Sequence, residues 1–111
     1  MVLGTYDTRL IVCATTFPSA PQAHEVVSQL VSERLVVCGQ VGKEVTSFFW
    51  WEGKPVQETE VAAILKIRDD CHEEAMERLR QLHPYEIPQL VSWVADHVDE
   101  SYGHWAWEES P

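Results

Sequence analysis

Basic residues are scarce in this chain. Eight Lys and Arg stand against eighteen Asp and Glu, for a formal net charge of -10. A surface of that sign repels nucleic acid, whose binding rests on neutralising phosphates with Lys and Arg. Long apolar runs are missing too. The stretch from Leu10 to Ala14 is far too short to span a bilayer, and no signal-peptide core follows Met1, so neither membrane anchoring nor secretion is expected. Cysteine is sparse and odd in number at three, which excludes a complete disulfide framework and fits a reducing, cytoplasmic setting. The chain has no Gly-rich phosphate loop, no nucleophile elbow, and no Cys–His pair with an obvious orienting acid. No enzyme class is indicated. Internal repeats and low-complexity tracts are also absent.

What remains is an ordinary globular chain of 111 residues, 45% of them hydrophobic. It reads as a single domain over residues 1–111, able to bury roughly two-thirds of its unfolded surface without staples. Arg9 to Thr16 reads as a first strand, apolar on consecutive positions and so buried on both faces. Phe17-Pro18-Ser19-Ala20-Pro21 breaks it. Ser19 stands where a helix cap belongs, and Ala23, Val26, Val27, Leu30 and Val31 follow at helical spacing. Val36 to Gln40 and Val45 to Trp51 form one long strand, kinked near Gly42. Glu52-Gly53-Lys54 reverses it into a returning strand, weak at Val56 and strong from Val61. There Val61, Ala63, Leu65 and Ile67 alternate with Ala62 and Ile64. Asp70 and Glu73 form a capping-box-like start to a second helix, with Ala75, Met76, Leu79 and Leu82 as its buried stripe. Pro84 ends it and forces His83 out of helical conformation. Leu90 to Val94 is a short last strand, and the tail beyond Asp96 reads as a short helix.

The order is β-α-β-β-α-β, an α+β, ferredoxin-like βαββαβ sandwich with a long hairpin between its second and third strands and a short C-terminal helix. The first and third strands are central in that topology, and they are the two that are apolar on both faces. Two helices cover one face of the sheet. Ile11, Cys13, Ala62 and Ile64 imply an opposite face that is also dry. The second strand is an edge, yet Phe48-Phe49-Trp50-Trp51 is a poor edge to leave in water. A symmetric oligomer that covers the open face and the hairpins is the economical solution.

Four segments carry a specific resemblance: Val36-Val37-Cys38; Val45-Thr46-Ser47-Phe48-Phe49-Trp50-Trp51-Glu52-Gly53-Lys54; Glu60-Val61 with Leu65-Lys66; and Leu82-His83-Pro84-Tyr85-Glu86-Ile87-Pro88. Together with Tyr102-Gly103-His104-Trp105 they are similar to the CutA family of divalent-cation tolerance proteins, from about Arg9 to Ser110. The resemblance implies a homotrimer with interlocked hairpins, located in the cytoplasm and linked to copper and other divalent metal ions. Departures from the family pattern fall at Gln40, Lys43-Glu44, Val94 and Val98, in loops and C-terminal packing.

The resemblance also implies candidate metal ligands. Copper-binding members use a cysteine in the first strand and a His-His pair before the proline. Cys13 matches the cysteine and His83 the second histidine, while Leu82 replaces the first. Thiolate with imidazole suits copper or zinc, but two ligands fall short of the usual four of a closed site, so no metal cofactor is obligatory. Glu86 or a group from another subunit are the available additions. The alternative is structural: Cys13 as a small core residue, His83 as a helix-end residue bonded to carbonyls. Cys38 reads as core packing and Cys71 as structural, since the acids around it oppose a lowered thiol pKa. His24, His97 and His104 lack ligand spacing. Trp50, Trp51, Trp105 and Trp107 suit an oligomer interface better than a nucleic-acid platform.

Three functional readings follow. One is a trimeric protein of divalent-cation (copper) tolerance, binding metal without turnover. Another, by the family's likeness in fold to PII-type signalling trimers, is a small-molecule sensor with Tyr85 and Glu86 in clefts between subunits. The third is a trimeric scaffold for an unidentified protein partner.

Overall fold

A computed structural model describes residues 9–109; Met1 and Ser110, on which the signal-peptide reading and the end of the resemblance rest, lie outside them. The elements are β1 (Leu10–Phe17), α1 (Ala20–Ser32), β2 (Cys38–Trp51), β3 (Lys54–Arg68), α2 (His72–Leu82), β4 (Val91–Val94) and α3 (Glu100–Glu109). All strands pair antiparallel, in the order β2-β3-β1-β4, so β1 and β3 are central as their two-sided apolar character requires.

Register decides which face each residue serves. Ile11 pairs with Ile67, Cys13 with Leu65 and Phe17 with Val61, and this row is buried beneath the helices. The expectation that Ile11 and Cys13 lie on the open face is therefore wrong for those two. With a side-chain period of two, Val12, Ala14 and Thr16 take that face instead, opposite Lys66, Ile64 and Ala62. Ala62 and Ile64 lie there as their alternation predicts.

α1 begins as its sequence dictates. Ser19 is extended, its Oγ accepts from the Gln22 N–H at 3.4 Å, and Pro21 falls in the first turn, where a missing N–H costs nothing. Ala23, Val26, Val27 and Leu30 are the buried stripe; Val31 is more exposed than its spacing implies. α2 starts differently from expectation. A 3-10 turn at Asp69–Cys71 precedes it, and no side chain caps it. The Asp70 carboxylate is held instead by Arg68 through paired bonds of 2.9 and 2.6 Å, and a bidentate charged partner outcompetes a backbone N–H. The Asp70 carboxyl is thereby held below its ordinary range.

β2 carries a one-residue bulge, its pairing passing from Val41–Ala63 to Glu44–Val61, at the kink expected near Gly42. Beyond it the hairpin outruns the sheet. β1 stops pairing at Phe17–Val61, so Lys54 to Glu60 pair with β2 alone, up to a two-residue turn at Glu52 and Gly53 with φ of 50° and 82°. The result is a two-stranded arm, and the described residues extend over 56 × 25 × 23 Å. Phe48 and Trp50 project from one of its faces, Phe49 and Trp51 from the other; Phe48 and Trp50 are each 74% exposed.

α3 lies across one end of the open face. The Arg68 guanidinium sits 4.1 Å from the Trp107 ring centre, the indole N–H donates to the Arg9 carbonyl at 3.2 Å, and Arg34 donates to the Glu109 carbonyl at 2.7 Å. These cations at the helix C-terminus complement its dipole. Leu10 is buried there, whereas Val91 and Trp93 of β4, on the same face further along, are exposed.

Candidate functional site

His83 is where chain breaking and packing meet. It ends α2 with a ψ of 134°, as a residue before proline must. Its ring then turns back over the end of β1. The imidazole stacks on Phe17 with centroids 4.6 Å apart and planes 11° apart, and Tyr85 leans on it from the loop at 5.3 Å. Both ring nitrogens are engaged. Nδ1 accepts the Tyr85 N–H at 3.1 Å, which places the ring proton on Nε2. Nε2–H donates to the Thr16 carbonyl at 2.8 Å, with Thr15 Oγ1 at 3.2 Å. Burial pushes the His83 pKa below the usual imidazole value, against the opposing pull of the Thr16 carbonyl and the Glu60 charge.

The network continues outward. The Tyr85 hydroxyl donates to Glu60 Oε2 at 2.7 Å. Glu60 is itself 8% exposed, at the last β3 position before β1 pairing begins, so the pair stands at the root of the arm. Burial, and then the Glu60 carboxylate, raise the Tyr85 pKa, so the phenol stays a donor at neutral pH.

Cys13 lies on the same face of β1 as Thr15 and Phe17, but two residues back from Thr15, roughly 6.6 Å along the strand. Its side chain is fully buried in the core, and the nearest polar partner of Sγ is the Ala14 carbonyl at 3.8 Å. Burial pushes its thiol up to about 11. Metal coordination needs a thiolate and a free imidazole lone pair. Here the thiol is sealed in the core, and the one unprotonated ring nitrogen already accepts a backbone N–H. Leu82, at the position of the missing histidine, packs against the core. Among the described residues no group of three or more His, Cys, Asp or Glu is placed to hold a metal ion. Cys13 and His83 thus form no donor set that fits a copper or zinc ion.

The other singled-out residues are dispersed. Cys38 is half-buried on the open face, opposite Lys66, rather than in the core. Cys71 is half-buried, and burial followed by the Asp70 charge raises its thiol pKa, as the acidic surroundings imply. His72 bonds Ser92 Oγ at 2.8 Å. Thr15, Thr16, Phe17 and Glu60 are functional neighbours that sequence reasoning missed. Glu60 carried a faint signal, a carboxylate abutting the apolar run of β3. Among the described residues, no helix is long and apolar enough to cross a membrane.

Comparison with known proteins accounts for this layout. Residues 11–109 match the family model of the CutA1 divalent ion tolerance protein. The chain is 44% identical over 101 residues to the divalent-cation tolerance protein CutA of Pyrococcus horikoshii, covering 91% of this chain and 98% of that one. The crystal structure of CutA1 from Pyrococcus horikoshii superposes with a TM-score of 0.86 at 42% identity, over 91% of this chain and 98% of that one. A structure described as the periplasmic divalent cation tolerance protein CutA from Archaeoglobus fulgidus gives 0.87 at 26% identity, over 92% and 99%. The expected family and the expected α+β fold with its long hairpin are both found, and the chain belongs to the CutA1 family of divalent ion tolerance proteins.

Proposed function

We propose that this chain works as a cytoplasmic homotrimer in divalent-cation tolerance, copper among the cations, binding metal ions without catalysing a reaction. The observation that carries the assembly is the arm. A two-stranded ribbon is marginal in water on its own, and this one bears aromatic residues on both faces. The half-covered sheet face, with Val91 and Trp93 exposed on its β4 edge, is a second apolar surface. Burying both against further copies removes an edge and an apolar patch together. Family membership supports the link to cations, and a net charge of -10 concentrates divalent ions near the surface. Three free thiols suit a reducing compartment.

Light scattering on the purified chain at micromolar concentration tests the assembly. A trimer is expected, and Phe48→Ser with Trp50→Ser should dissociate it; a well-folded monomer would overturn the reading. Equilibrium dialysis against Cu²⁺ and Zn²⁺, with copper sensitivity of a strain lacking the protein, tests the role. Cell fractionation tests the compartment, since the Archaeoglobus fulgidus relative is described as periplasmic. A small-molecule sensor is a second reading, with one observation in its favour. The Tyr85–Glu60 pair stands at the arm root, where a neighbouring chain would close a cleft. Two shallow depressions, of about 250 and 230 Å³, lie elsewhere, beside the loop between β4 and α3.

A further inference from the structure

We infer that in this chain His83 is a positioning residue, holding the Tyr85 hydroxyl on Glu60 at the root of the arm, and that neither it nor Cys13 is a metal ligand. First, His83 spends both nitrogens on the protein: Nδ1 on the Tyr85 N–H and Nε2–H on the Thr16 carbonyl. A metal on Nδ1 would orphan a backbone donor, and one on Nε2 would displace a proton bonded to the half-buried Thr16 carbonyl. Second, the ring is clamped between Phe17 and Tyr85, so it cannot swing to a new partner without breaking both contacts. Third, the Nδ1 bond falls on the residue whose hydroxyl reaches Glu60. Fixing the Tyr85 backbone two residues beyond the helix end fixes the direction of its side chain, with Pro84 and Pro88 limiting the loop on either side. Cys13 completes the case from the other side. It faces Leu65 across the sheet and is fully buried in the hydrophobic core, so a metal ion would have to enter that core to reach Sγ.

The inference concerns where metal is not held, and it stands whether or not the assembled protein binds cations at other groups. Its test separates the two questions. Cu²⁺ and Zn²⁺ are titrated calorimetrically into the full-length wild type, Cys13→Ala and His83→Gln. The wild-type result bears on metal binding as such; the variants bear on the ligands. Stoichiometry and affinity within twofold of wild type are expected for both variants, with no intense sulfur-to-copper charge-transfer absorption on adding Cu²⁺. Loss of one metal equivalent per chain, or a tenfold weaker affinity, in either variant overturns the inference. For the positioning role, a stability cycle between Tyr85→Phe and Glu60→Gln is measured in the wild-type and His83→Gln backgrounds. Coupling between the two is expected with His83 present and lost without it; coupling that survives overturns the role. Should His83→Gln fail to fold, nitrogen NMR of wild-type His83 decides. A protonated Nε2 whose resonances ignore Zn²⁺ supports the inference, and a zinc-shifted imidazole defeats it.

Discussion

The imidazole of His83 lies flat on the ring of Phe17, with centroids 4.6 Å apart and planes inclined by 11°. This stack joins the last residue of β1 to the residue that ends α2, two points 66 positions apart in the chain. Phe17 is fully buried, so its ring sees His83 on one face and the apolar core elsewhere.

Replacing Phe17 with leucine keeps the site apolar but removes the stacked face. The expected cost is about 1–2 kcal/mol, from imperfect packing plus the lost ring contact. Phe17→Ala leaves a cavity as well and should cost about 3–5 kcal/mol. Urea unfolding of the two variants checks the order. Equal losses would mean that the stack itself contributes nothing.

The buried imidazole sets a pH dependence whose sign follows from its direction of shift. Burial lowers the His83 pKa in the folded state, while the unfolded chain titrates near the ordinary value of about 6.5. Below that value the unfolded state binds a proton more readily than the folded one, so acid favours unfolding. The contribution of neutral His83 is fully present above the unfolded pKa. It is lost as pH falls through the depressed folded one. Thermal melts between pH 8 and 5 should show stability falling with pH, and His83→Gln should flatten the part of the slope that begins at the histidine range. An unchanged slope in that variant would assign the effect to carboxylates.

Much of this arrangement was legible in the sequence, and the limits were physical. The strand order follows from which runs are apolar on both faces, and the end of α2 from Pro84. The Glu52–Gly53 turn announced the hairpin. Which face Cys13 takes was not legible, because in a strand apolar at every position the alternation carries no sign. Only the pairing of Cys13 with Leu65 settles it. The partners of His83 were hidden for another reason. A ring bonded to Thr16 across 67 positions leaves no local spacing to read. Asp70 misled because Arg68, two residues earlier, is a stronger partner than the helix start.

Cys13 should be chemically silent. Burial pushes its thiol up to about 11 and keeps solvent away, so little thiolate is available to react. Peptide mapping after iodoacetamide treatment of the native protein should leave Cys13 unmodified, and guanidinium should render it reactive. Labelling of Cys13 under native conditions would place it at an accessible site and would revive it as a ligand candidate.

Gly39 of β2 lies directly against Val27 of α1. A Cβ built there would lie 2.3 Å from Val27 Cγ1 and 3.3 Å from Leu65 Cδ2. Valine in a helix is held to one χ1 rotamer, so the methyl cannot simply turn aside. The helix must shift, or Val27 must strain. Gly39→Ala should therefore destabilise by about 1–3 kcal/mol through overpacking, even though alanine suits a strand no worse than glycine. Val27→Ala removes the offending methyl. On its own it should cost about 1–3 kcal/mol as a lost core contact. Combined with Gly39→Ala the losses should not add, because the new methyl fills the space the old one leaves. A double variant as unstable as the sum of the singles would show that the glycine is required for backbone geometry rather than for room against α1.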